Sequence, residues 1–206
     1  MPLPLLTHPC VRRAVRRGAG LSCLLVLASA GVALASCPPP AVSTPFTQWG
    51  DTNSYFPVPG GTFEPADQAG WTLSNAALTA GNEPFYVNAT GDGQSLTISG
   101  GGSALSPYFC VDSTMSSLRF FADQASPGSD LEITALVQTP NGVATVAVGH
   151  LADGSMTQWA PAQPIAGNSS QLGPNASVMV ALRFTVPSTA GSWTIDDVYV
   201  DPYRSG

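Results

Sequence analysis

Residues 192–201 read SWTIDDVYVD. Trp193 and Ile195 are in phase with each other, while Val198 and Val200 are in the opposite phase. Successive side chains of a strand point to opposite faces, so a regular strand here would bury one apolar pair and expose the other. One extra residue at Asp196-Asp197, a β-bulge, returns both pairs to a single face. A bulge at that point also turns a carboxylate aside, and a buried carboxylate needs a partner. Two kinds of partner suit the pair: a hard cation, or backbone N–H groups with the side chains left facing water.

Alternation recurs upstream. In SVMVALRFTV (177–186), Val178, Val180, Leu182, Phe184 and Val186 share one face, opposite Met179, Ala181, Arg183 and Thr185. Leu118 and Phe120 oppose Arg119 and Phe121, and Leu131, Ile133, Ala135 and Val137 oppose Glu132, Thr134 and Leu136. Each strand therefore offers an apolar side to a core and a mixed side to solvent, where Arg119, Arg183 and Glu132 are expected to meet. Further short strands are expected at 62–64, 71–73, 77–79, 85–88, 95–98, 108–111, 143–150 and 193–200. Pro140-Asn141-Gly142 reads as a hairpin turn. No window carries capped helical periodicity. The pattern predicts an all-β fold, a β-sandwich or jelly roll of about ten antiparallel strands.

Ahead of these strands lie two other segments. Arg12, Arg13, Arg16 and Arg17 precede the apolar run LSCLLVLASAGVALA (21–35), which ends in Ala-Leu-Ala. That arrangement predicts a cleaved signal peptide over 1–35 and secretion, and the run is short for a transmembrane helix. Residues 36–60, rich in proline and small polar residues, predict an extended arm, with Phe46, Trp49 and Tyr55 available to pack on a domain spanning 61–206. Two readings meet at Cys37. Leu34-Ala35-Ser36-Cys37 fits a lipobox, which would anchor the protein through a lipidated Cys37. Pairing with Cys110, the one other cysteine of the processed chain, instead leaves no odd thiol in an oxidising compartment. That bond would close a loop of 73 positions and stabilise the fold by about 4 kcal/mol in the chain-entropy account.

The processed chain sets three arginines against thirteen acids, a net charge of −10. Such a chain repels phosphate backbones and anionic membrane surfaces, which argues against nucleic acid as a partner.

GGTFEPADQAGWTLS (60–74), taken with WTIDDVYV at the end, resembles carbohydrate-binding modules of the family four and nine type, which are galactose-binding-like jelly rolls. The resemblance implies one structural calcium ion, with Glu64 and Asp196 or Asp197 as ligands; a cluster of carboxylates suits a hard cation. Over the whole processed chain, PF-x-x-W-x-D, GG-x-FE, SPYFC, LRFFA and W-x-IDDVYVDPY are also similar to a group of secreted actinobacterial proteins, a kinship that names no activity.

The function expected is a secreted, monomeric, non-catalytic module that binds a glycan or cell-wall polysaccharide. Sugar rings call for aromatic faces and hydrogen-bonding side chains. Trp159, in a turn-rich stretch, leads the candidates, with Tyr86 and Tyr108 behind it and Arg119 and Arg183 as polar partners. Trp71 and Trp193 are expected in the core. The alternative is a structural or adhesive envelope protein with no small ligand, which the acidic surface, arm and disulfide fit equally well. An enzyme is disfavoured: His150 is the only histidine after residue 35, and no G-x-S-x-G elbow or metal-spaced His/Cys set accompanies it.

Overall fold

The structure is a computed structural model that describes residues 37–65, 70–115, 117–167 and 176–202. The expected signal peptide and Arg204 lie outside them. A 3-10 turn at Thr47–Trp49 precedes eleven strands among the described residues. These are β1 Phe56–Pro57, β2 Thr72–Ala80, β3 Gln94–Leu105, β4 Phe109–Asp112, β5 Ser117–Ser126, β6 Leu131–Thr139, β7 Gly142–Leu151, β8 Ala160–Pro161, β9 Ile165–Ala166, β10 Ser177–Thr185 and β11 Ser192–Asp201. Among the described residues no helix is long and apolar enough to cross a membrane.

Every pairing is antiparallel, in the order β7-β6-β10-β3-β11-β5-β8. β3 is the hinge of this curled sheet. Its first half (Leu96 to Ser99) pairs with β11 and its last residues (Ser103 to Leu105) pair with β10, so the sheet folds back on itself into two layers. Gly100-Gly101-Gly102 makes that turn. A Cβ at Gly102 would lie 2.5 Å from the Asn75 carbonyl oxygen, and Gly101 sits at φ +74°, so neither position accepts a side chain cheaply. Between the layers Phe120 of β5 meets Phe184 of β10 edge to face at 5.2 Å, and Trp193 donates from Nε1 to the Ser129 carbonyl at 2.8 Å. Trp193 is fully buried; Trp71 is half-buried against Phe63, its indole N–H on the Pro59 carbonyl.

The β-sandwich reading holds, as does the bulge. The β11–β5 register slips between Asp196 and Tyr199, and Trp193, Ile195, Val198 and Val200 all join one core. The Pro140-Asn141 turn joins β6 to β7, with Thr139 paired to Gly142. Cys37 is disulfide-bonded to Cys110, their Cα atoms 5.5 Å apart, so the sulfur a lipid anchor would need is engaged.

Three local expectations fail. Residues 62–64 and 85–88 form no strand, because Phe63 and Tyr86 take positive φ values of 54° and 52° that break an extended run. Residues 72–73 and 77–79 belong to one strand, β2, carried through a register shift at Asn75, with Trp71 just ahead of it. The mixed face of β5 does not meet water either. The arm crosses it, and Phe46 and Tyr55 cover Phe121 and Tyr199 in a second apolar cluster. Arg119 is therefore buried on one layer while Arg183 and Glu132 lie on the other, half-buried and exposed, and the three do not meet.

Candidate functional site

The bulge positions the site. Asp197 takes the left-handed conformation (φ +48°) that a bulge tolerates, and both aspartates are almost wholly buried. Asp196 is saturated by backbone. One oxygen accepts from the N–H of Asp197 at 2.9 Å, and the other accepts from the N–H of Glu83, more than a hundred residues away in sequence, at 3.1 Å. Glu83 is itself buried. Its two oxygens accept from the N–H groups of Phe85 at 2.5 Å and Val87 at 2.8 Å, winding the following residues into a tight loop. At the far end of that loop, Glu64 Oε1 accepts from the N–H groups of Gly93 and Gln94 at 2.7 and 2.8 Å. Three carboxylates thus fasten both ends of residues 83–94. Glu64, in no strand, and Asp196 of β11 thus hold opposite ends of one loop.

Asp197 is different. Neither of its carboxylate oxygens has a hydrogen-bond partner. Burial, then the charges of Glu83, Asp92 and Glu64, push its carboxyl up to about 8. Burial, then Asp197 itself, raises Asp196 to about 9, and burial also raises Glu83. The fold has therefore concentrated acids around one bare, dry carboxylate. Among the described residues no three His, Cys, Asp or Glu side chains are already grouped to hold a metal ion. Asp197 nonetheless fits the edge of a calcium site, because a calcium ion fills many of its positions with main-chain carbonyl and water oxygens.

The loop held by these acids presents Phe85 and Tyr86, 37% and 47% exposed. Phe85 meets Trp49 edge to face at 4.9 Å, and both rings lean on Phe121. Trp49 in turn walls a cleft of about 690 Å³, bounded by Asp51, Thr52, Asn53 and Arg119 on one side and by Pro161, Gln163 and Pro164 on the other. Arg119 is fixed there. Its guanidinium lies 4.2 Å over the Phe46 ring, donates to the Ala162 carbonyl at 2.9 Å and pairs with Asp51 at 2.5 Å. Burial would raise Asp51, but the Tyr55 hydroxyl at 2.7 Å, the Asn53 N–H and Arg119 outweigh it and hold the carboxyl below its ordinary value.

Of the residues expected to bind ligand, Arg119 alone lines the cleft among the described residues, with Trp159 and Tyr86 outside its lining. Trp159 packs half-buried against the cluster of Phe46, Tyr55, Phe121 and Tyr199, and Tyr86 stands on the loop. Tyr108 lies half-buried just before β4, close in sequence to the disulfide, and Arg183 lies on β10 between β3 and β6; neither lines the cleft. Sequence reasoning missed Glu83, Asp51, Asn53 and Gln163, and read Trp49 only as packing. The trace of Asp51 was the PF-x-x-W-x-D segment, where the first acid of the chain follows two aromatics.

No family model matches the sequence, and no curated protein does. Solved structures do share its shape. The CBM22-1 xylan-binding domain of Paenibacillus barcinonensis Xyn10C is 12% identical, with 82% of this chain and 100% of that domain covered and a TM-score of 0.50. The tandem CBM22-1-CBM22-2 domain of the same protein is 14% identical over 71% of this chain and 46% of its own, at a TM-score of 0.49. The C-terminal CBM6 of LamC from Zobellia galactanivorans is 10% identical over 71% and 98%, at 0.43. The fold is thus a jelly roll of the kind found in carbohydrate-binding modules.

Proposed function

We propose that the protein is an exported, non-catalytic glycan-binding module whose ligand lies in the cleft between the arm and the segment after β8. The observation that carries this reading is the cleft's composition. Trp49, braced from behind by Phe85, supplies an apolar ring face for the C–H side of a sugar, while Asn53, Gln163 and Thr52 supply hydroxyl partners beside it. Arg119 and Asp51 already neutralise each other, so the site favours neutral over acidic or cationic sugars. The likeness to a xylan-binding domain supports the same class of ligand. Affinity electrophoresis through gels containing xylan, mixed-linkage β-glucan or galactan tests it. Retardation by one of them, lost in Trp49→Ala and weakened in Gln163→Ala, is the expected result. Free migration through every neutral polysaccharide would leave the adhesive or structural reading in its place.

We further propose one structural calcium ion at Asp197, its remaining positions filled by main-chain carbonyl and water oxygens. The ion would compensate the bare carboxylate and stiffen the loop that carries Phe85 and Tyr86. The support is the orphaned, buried pair of oxygens.

A further inference from the structure

We infer that the space between the two layers is a second binding site, for an uncharged aliphatic chain, separate from the surface cleft. A cavity of about 330 Å³ lies on the inner face of the β6–β7–β10 layer. Ala135 and Val137 of β6, Val146 of β7 and Val178 of β10 line it, and Leu118 of β5 and Met115 face them. The void is written into the sequence. Ala135 follows Ile133 on the inward face of β6, leaving room at the floor, and the exposed Ala144 and Ala147 of β7 edge the mouth.

Protein interiors leave few voids larger than a water molecule. An engineered apolar cavity of roughly 150 Å³ stays dry and takes up benzene. The present one is about twice that size, opens to solvent along β7, and reaches the roughly 300 Å³ at which small-molecule pockets begin. Its chemistry selects the occupant. Among the described lining residues only Ser117 has a polar side chain, and none is charged. A carboxylate or ammonium drawn inside would lose its hydration with no counter-charge, whereas a methylene chain loses nothing and a terminal hydroxyl finds one partner in Ser117. The cavity therefore suits an aliphatic alcohol or hydrocarbon and excludes free sugars, which the cleft takes.

Methionine methyl signals give a direct test, because Met115 lines the cavity while Met179 is exposed and lines neither cavity nor cleft. The whole secreted protein, labelled at the methionine methyls, is titrated with decanol and with decanoate at neutral pH. Decanol should move the Met115 signal, leave Met179 in place and raise the melting temperature by a few degrees, and decanoate, its carboxylate held at the open mouth, should do so more weakly. Ala135→Leu, which fills the void, should weaken the decanol effect by roughly tenfold or more. A still Met115 signal up to the solubility limit of decanol, equal movement of Met179, or an undiminished effect in Ala135→Leu would each overturn the site. The first two readings use the parent protein, so they decide the matter even if that variant fails to fold.

Discussion

Asp197 shows how one residue can make a fold depend on its solution. Its buried, unpartnered carboxylate is an energetic liability by itself and an asset once a cation sits on it. Asp197→Asn separates the two states by sign. In chelator, the variant should be more stable than the parent by on the order of 1–3 kcal/mol at neutral pH, because the parent must take up a proton on folding to avoid burying an uncompensated charge. In millimolar calcium the order should reverse, since only the parent gains the binding free energy. Thermal melts of both proteins with and without chelator check this; melts that ignore calcium would remove the ion. Asp51 is a liability of the opposite kind. Its pKa lies below the ordinary value in the fold, so the stability it contributes is present above the unfolded-state pKa and lost as pH falls through the folded one. The difference in stability between parent and Asp51→Asn isolates this group from Asp196 and Asp197, whose raised values work in the other direction. That difference should hold constant from neutral pH down to about 4 and shrink below it. Asp51→Ala, which strands the buried Arg119, should destabilise by roughly 3–5 kcal/mol by denaturant melts.

At the scale of elements, the loop of residues 83–94 is a span whose ends are sewn by carboxylates rather than by a strand ladder. Removing one stitch should loosen the aromatic wall without unfolding the sandwich. Glu83→Ala is expected to cost about 1–3 kcal/mol, to accelerate exchange of the Phe85 and Val87 amides, and to weaken polysaccharide retention. Unchanged exchange at those two amides would show that the carboxylate does not hold the loop. This loop also marks where sequence ceased to be readable. In β11 the two-residue period itself breaks, so the bulge was visible in the order of the side chains alone. Residues 85–88 alternate just as well, yet their N–H groups bond to a glutamate side chain two and four residues back, an arrangement that leaves no periodic trace. The cleft was less legible still. Trp49 and Asp51 acquire their roles only because Phe46 lands on Phe121, more than seventy residues away, and buries the β5 face that composition assigned to solvent. β2 was split around Asn75 because asparagine reads as turn punctuation; in the fold it does take a positive φ, but its side chain donates to the Gly100 carbonyl and the strand continues.

For the molecule as a whole, the arm matters more than its irregular backbone implies. It starts at Cys37, bound to β4 on one layer, and ends in β1, paired with β11 on the other. It therefore straps the two layers together from outside, while Phe46 and Tyr55 provide the apolar seam beneath it. Two independent fastenings predict a graded response to reduction. The disulfide restricts the unfolded chain over 73 positions, which is worth about 4 kcal/mol. The aromatic seam and the Arg119–Asp51 pair do not depend on it. Replacing both cysteines by serine should therefore lower stability by about that amount, roughly 8–16 °C for a domain of this size, while a single cooperative transition and polysaccharide retention survive. Calorimetry and affinity electrophoresis on the same sample read the two quantities together. Retention lost in step with the disulfide would mean that the Cys37 end, rather than the buried aromatics, holds Trp49 at the cleft. The proposed division of labour between covalent strap and apolar seam would then be wrong.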